Sequence, residues 1–395
     1  MFKTGKSPKP RKKSYYPFSK NYPGRRTGTA YAIGESRTRR KKERSNAIAY
    51  TVFLIFLFFA VFIGVTVIFL LSGRPLNRNA DPVKNADGQW HAVYITADEL
   101  GGGIAFDLFQ NTLTDSGANA VMLDFKSADG TVCTAANGST STDIGAAANT
   151  VTVTAAADTV QRLKTKGYKI IARIYCFQDP VAAAQLPGAA VTERDGTTVW
   201  LDDSARSGGE PWLNPYSETA RLYLLQVIRE AVSFGADNVL LCSVSFPHGR
   251  YADRAFFPGE AESLFSRNAV LQDFIEQAAG AAGDIPLTVS MPLSAAFGGD
   301  AVRYGGGIFD SAAAFAAVDF DRTSLTDGTT LGTVAYAADM AQEQLIMSTA
   351  PALTDKLSEN YRTKSILPLI YSEEDIVFLQ NAGIQNYIWI SEKEA

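Results

Sequence analysis

The sequence predicts an α/β fold: a (β/α)8 TIM barrel ectodomain preceded by a single transmembrane helix. Three observations lead there. Ala47 to Leu71, "AIAYTVFLIFLFFAVFIGVTVIFLL", is a run of 25 residues without a charge. From Trp90 onward, short apolar runs rich in β-branched residues recur. Amphipathic helical stretches separate them, the alternation expected of a parallel sheet covered on both faces.

Taken in order, residues 1–46 hold 15 of the 37 basic residues and 2 of the 41 acids, a net charge of +13. The remainder holds 22 basic and 39 acidic residues, or −17. Rich in Lys, Arg, Ser, Pro and Gly, residues 1–46 read as a disordered tail. At 1.5 Å per residue, residues 47–71 exceed the roughly 30 Å hydrocarbon core, and the stretch has no polar face. A cleaved signal peptide fits poorly, because the preceding region and the apolar run are both too long and no Ala-x-Ala site follows. "RTRRKKER" (Arg37 to Arg44) abuts the helix on its N-terminal side, so the positive-inside rule places the N-terminus in the cytoplasm. The expected location is thus a single-pass cell-membrane protein with an extracytoplasmic barrel. The basic tail reads as a topology signal touching anionic lipid, not as a nucleic-acid site, since no base-stacking motif accompanies it. Residues 72–89 form a polar linker, and 90–395 the barrel.

Strands are expected at "HAVYIT" (91–96), "NAVMLDF" (119–125), "YKIIARIYCF" (168–177), "NVLLCSV" (238–244), "PLTVSMP" (286–292), "SILPLIYS" (365–372) and "NYIWIS" (386–391). A weaker one lies near "AAVDFDRTS" (316–324). Helices are expected at 157–167, at 217–235 behind a Ser N-cap, and at 373–383, the first and last ending at Gly. "TAANGSTSTDIGAAANTVTVTAA" reads as a small-residue excursion, and "VTERDGTTVW" (191–200) as a hairpin around Asp195-Gly196. About eight βα units over roughly 300 residues suit a closed barrel. A doubly wound open sheet is the alternative, but no Gly-rich phosphate fingerprint follows any strand. Three cysteines and two histidines, with no CxxC spacing, offer neither a disulfide framework nor a zinc site, and no cofactor or metal is expected. A single Cys176–Cys242 bridge between neighbouring strand ends remains open.

In a barrel the chemistry gathers where strands end. Those ends supply Asp124 and Lys126, then Tyr175, Gln178 and Asp179, then Cys242 and Ser245, then Tyr371 with Glu373, and Trp389. The loop "PWLNPYS" adds Trp212 and Asn214. Aromatic rings, amides and hydroxyls suit a carbohydrate, and glycoside hydrolysis needs two carboxyl groups across the bond. Asp124 is the foremost acid, with Lys126 as a neighbour able to hold it ionised. Asp179 and Glu373 are candidate partners, although Asp179 before Pro180 also suits a turn and Glu373 a first helical turn. Arg173, Tyr175, Gln178, Lys126, Trp212, Asn214, Cys242, Ser245, Tyr371 and Trp389 make up the expected glycan-binding set. Cys242 is also simply a small buried hydrophobe.

The order "HAVYIT", "NAVMLDFKSADG", "LKTKGYKIIARIYCFQDP", "RDGTTVWLDD", "PWLNPYSE" and "FGADNVLLCSVSFP" resembles the putative glycoside hydrolase domain family of bacterial cell-surface proteins. That resemblance implies a TIM barrel related to the alpha-amylase-like glycosidases, with a carbohydrate or cell-wall glycan as ligand. Asp124, Lys126, Arg173, Phe177, Asp179, Trp212, Asn214 and Pro215 match its pattern. The fourth strand departs: where the family has Phe-Asp-Tyr-x-Arg-Phe-Pro, this chain has Cys242, Ser243 and Ser245 in place of Asp, Tyr and Arg, while Phe246 and Pro247 hold the register. The expectation is therefore a degenerate carbohydrate-binding module, with an active glycosidase using Asp124 and another carboxylate, or a structural envelope protein, as alternatives. Whether the chain is an enzyme stays open on the sequence alone.

Overall fold

The computed structural model describes residues 88–134, 138–248, 250–359, 361–363 and 365–391. The chain divides into two units, Met1–Pro75 and Leu76–Ala395, and the described residues all belong to the second. The basic tail and the Ala47 to Leu71 stretch lie outside the described residues. Among those described, no helix is long and apolar enough to cross a membrane.

Eight parallel staves close into a barrel. They are β1 (His91–Tyr94), β2 (Ala120–Lys126), β3 (Lys169–Tyr175), β4 (Asn238–Cys242), β5 (Leu287–Pro292) and β6 (Phe315–Asp319), then the interrupted β7 (Ser365–Ile366 and Leu369–Ile370) and β8 (Tyr387–Trp389). Each pairs in parallel with its sequence neighbour, and β8 returns to β1 through His91↔Tyr387, Ala92↔Ile388 and Val93↔Trp389. The alternative of an open sheet is thereby excluded. The weak sixth strand is real, and the seventh is broken at Pro368, which has no N–H for a ladder bond. Its carbonyl still accepts from Ile388.

Outside the staves lie α1 (Gly103–Asp115), α2 (Thr150–Thr165), α3 (Glu218–Phe234), α4 (Arg267–Ala282), α5 (Gln342–Leu357) and α6 (Glu374–Asn381). The helix α2 starts seven residues before its expected beginning. Its Thr/Val-rich opening, "TVTVT", has strand-like composition, but the Asn149 side chain caps Thr152 N and the Val153–Ala156 spacing buries one helical face. The later part of the small-residue excursion, from Thr150, is thus helical. Ser217 and Gly235 end α3 as expected, with Gly235 at φ 114. The hairpin at 191–200 forms, Thr192 bridging Val199. Between β5 and β6 lie two four-residue helices, Leu293–Ala296 and Ala301–Tyr304.

Alternation along each stave gives two cores. Ala92, Ala120, Met122, Ile171, Leu240, Ala317 and Ile388 fill the barrel. Val121, Leu123, Ile170, Val239, Val289 and Val318 face the helices. In α3, Leu224, Val227 and Ile228 are fully buried against that outer face, each contributing roughly 1.5–3 kcal/mol by burial.

Candidate functional site at the barrel mouth

Ala120, Met122 and Asp124 succeed one another on the inner face of β2, so Asp124 stands at the mouth. Its register partner is Arg173 on β3. Arg173 donates through Nε to Asp124 Oδ1 and through Nη2 to Oδ2 at 2.8 Å, a bidentate pair. The Tyr94 hydroxyl adds a third bond to Oδ2 at 3.0 Å. The guanidinium also lies over the rings of Tyr94 and Tyr175, 4.6 and 5.4 Å from their centroids. A carboxylate has about four acceptor sites, so one remains for a ligand or water.

Lys126 does not stand beside Asp124, which corrects the expectation drawn from their two-residue spacing. The β2–β3 register shifts between Asp124 and Lys126, and this bulge turns Lys126 through the wall into the outer layer. There Lys126 Nζ meets Asp179 Oδ2 at 3.0 Å, both side chains having no exposure, and donates to Tyr175 O at 2.7 Å. Asp179 also accepts from Ala182 N at 2.8 Å, capping the helix Pro180–Gln185. Gly130 seals the pair: at φ +88, a Cβ there would lie 2.7 Å from Asp179 Oδ1. Neither Lys126 nor Asp179 reaches the mouth.

Trp212 and Asn214 are likewise buried. Trp212 Nε1 donates to Asp202 Oδ2 at 3.1 Å, and its ring meets His248 edge-on. Asn214 donates to Pro258 O and accepts from Tyr216 N. Both pin the long β3–α3 insertion, so they offer no stacking platform. Trp389 faces outward from β8, since Ile388 and Ile390 face in. It lines a cleft of about 450 Å³ together with Glu373, which is exposed and precedes α6.

At the end of β4, Cys242 faces the barrel opposite Tyr175. Burial pushes its thiol up to about 12, against the pull of the Arg173 cation, so it is a neutral thiol at physiological pH. Cys176, one residue past Cys242's register partner, faces the outer core; both sulfurs are free, so no bridge joins them. Ser243 has φ 52, the only positive φ outside glycine among the described residues, a conformation costing about 1–2 kcal/mol. Its hydroxyl donates to Gln178 Oε1 at 3.1 Å. Ser245 is fully buried, and its Oγ has no partner among the described residues. Phe246 then packs edge-on against Phe257.

One acid at the mouth stands outside the expected set. Asp319 ends β6, on the inner face after Phe315 and Ala317. The Tyr371 hydroxyl donates to its Oδ1 at 3.0 Å, and Asp321 N donates to the same oxygen at 2.9 Å. Burial raises this carboxyl above the usual range, outweighing those two bonds. Its signal was the two-residue spacing Phe315-Ala317-Asp319 in the weak strand. Beside it opens a cleft of about 680 Å³ lined by Arg173, Tyr175, Asp321, Arg322, Gln342 and Tyr371, among others. The mouth thus brings together Asp124, Arg173, Tyr175, Cys242 and Tyr371 from the expected set, and adds Asp319. Among the described residues, no three His, Cys, Asp or Glu side chains converge as a metal site.

None of the curated proteins matches the chain in sequence. Among solved structures, a hypothetical protein from Ruminiclostridium thermocellum is 22% identical, with TM-score 0.43 over 50% of this chain and 96% of that one. Alpha-L-fucosidase isoenzyme 2 from Paenibacillus thiaminolyticus is 9% identical, with TM-score 0.47 over 77% of this chain; the match spans 46% of the fucosidase. The glycoside hydrolase domain of PelA from Pseudomonas aeruginosa is 12% identical, with TM-score 0.39 over 77% of this chain and 94% of that domain. The family pattern described as "Putative glycosyl hydrolase domain" matches residues 92–297, more than half of the chain, and the chain belongs to that family.

Proposed function

We propose that this chain is a membrane-anchored, extracytoplasmic barrel that holds a cell-wall or other polysaccharide at its mouth, without the strand-four carboxylate of its family's pattern. The carrying observation is the end of β4, where a buried, neutral Cys242 stands among Arg173, Tyr175 and Asp124. A thiol there supplies neither an oxygen nucleophile nor a negative charge to an oxocarbenium-like transition state. Ser243 and Ser245 remove the family's Tyr and Arg from the same exit. What remains suits recognition: the rings of Tyr94, Tyr175 and Tyr371 for sugar faces, and Arg173, Asp124 and Gln342 for hydroxyls. Anchoring rests on the uncharged run Ala47 to Leu71 and the basic flank before it.

The test uses the full-length chain in detergent, offered peptidoglycan, chitin, starch and β-glucans in pull-downs. Retention on at least one polymer is expected, weakened about tenfold (1.4 kcal/mol) or more by Tyr371→Ala. Absence of retention on every polymer would sink the glycan reading and leave a structural envelope role. Added protease should cut the barrel from the outside of intact cells; protection there would overturn the orientation.

A further inference from the structure

The geometry points to Asp319 as a proton-donating catalytic acid that works across the mouth with Asp124, in place of the carboxyl group missing from β4. This goes beyond glycan binding, and it rests on that reading for the position of the sugar. Three observations carry it. The staves β2 and β6 stand four apart in an eight-stave barrel, so Asp124 and Asp319 approach the mouth from opposite sides. Both lie on inner faces, Asp124 on the face of the buried Ala120 and Asp319 on that of the buried Ala317. Tyr175 and Cys242, on the intervening β3 and β4, lie within electrostatic reach of both acids. Asp319 also lies beyond the residues 92–297 matched by the family pattern, so that pattern does not assign it a role.

The two acids have different surroundings. Asp124 is bonded by Arg173 and Tyr94 and fits the carboxylate role. Asp319 is buried, and its nearest partners are Asp321, the phenols of Tyr371, Tyr175 and Tyr304, and the Cys242 thiol, while the cations Arg173 and Arg322 line the cleft beside it without an ion pair to its carboxyl among the described residues. It fits the role of an acid that keeps its proton. In the inverting scheme the two acids flank the bond, with a water between the anomeric carbon and Asp124. Asp319 gives its proton to the glycosidic oxygen as the bond from that oxygen to the anomeric carbon breaks, its electron pair leaving with the oxygen. The water oxygen bonds to the anomeric carbon from the opposite face, and its proton passes to Asp124. One water is consumed, and solvent exchange restores both acids.

The experiment measures reducing ends released from peptidoglycan, chitin, starch and β-glucans by the full chain, alongside retention on the same polymers. Release with inversion at the anomeric carbon is expected. Asp319→Asn should lower it by about 100-fold or more while retention is kept. Tyr371→Phe removes a bond that lowers the Asp319 pKa, so the alkaline limb of the rate profile should move to higher pH. A merely structural Tyr371 would leave that limb in place. Retention without release on every polymer, or release untouched by Asp319→Asn, overturns the assignment and leaves glycan binding standing. A retained anomeric configuration overturns the inverting pair. Absence of retention removes the binding reading and this one with it.

Discussion

Two ion pairs begin two residues apart on β2 and end on opposite sides of the wall. Asp124 pairs with Arg173 at the mouth, with 24% and 12% of the side chains exposed; Lys126 pairs with Asp179 behind the wall, with no exposure at all. Strict alternation would put Asp124 and Lys126 on one face. The bulge between them separates the two, and their surroundings then set their roles. Behind the wall, Lys126 joins Tyr175 O to the cap of Pro180–Gln185, tying β2 to the β3 loop. At the mouth, Asp124 keeps an acceptor site open to a ligand. A charged pair matching a family pattern can therefore be frame or site, and the backbone register decides which.

The largest effect should come from breaking the buried pair. Lys126→Met leaves Asp179 uncompensated in the outer core and should cost about 3–5 kcal/mol in urea unfolding. Lys126→Met with Asp179→Asn keeps the helix cap and removes the stranded charge, so most of that loss should return. A single variant costing under about 1 kcal/mol would mean water reaches this pair and the contrast with the mouth is false. Arg173→Lys tests the other pair. A lysine cannot reproduce the two-pronged contact with Asp124 or the flat stacking over Tyr94 and Tyr175. The expected stability cost is smaller, about 1.5–3 kcal/mol, but glycan retention should fall with it. Full retention in Arg173→Lys would remove this pair from the binding site.

The same contrast explains what the sequence could convey. Apolar runs such as "NAVMLDF" and "KIIARIY" carry the parallel barrel, because a stave covered on both faces must be apolar at nearly every position. The Asp124–Arg173 neighbourhood was legible, since both sit near ends of strong strands. The bulge was not, as no glycine or proline marks it within Asp124-Phe125-Lys126, and so Lys126 and Asp179 were expected at the mouth. Trp212 and Asn214 matched a family motif whose work here is to hold a loop. Asp319 is hidden for the opposite reason: "FAAVD" is short and alanine-rich, so its strand signal is weak and nothing in it marks its end as a mouth position.

Asp319 also gives the smallest of these effects, with a sign opposite to that of the paired charges. Burial raises its folded-state carboxyl above the unfolded value, with Asp321 N and Tyr371 pulling the other way. Below the unfolded value, about 3.9, both states hold the proton and Asp319 carries no charge penalty. As pH rises through the folded value, the folded state must place a charge in the mouth, and that part of the stability is lost. Asp319→Asn keeps an acceptor for both bonds and never ionises. It should therefore be more stable than the wild type near neutral pH, with the gap closing as pH falls towards 4 in paired urea titrations. A gap of constant size across that range, or a variant less stable at neutral pH, would mean that Asp319 is held charged. It could not then serve as the proton donor opposite Asp124.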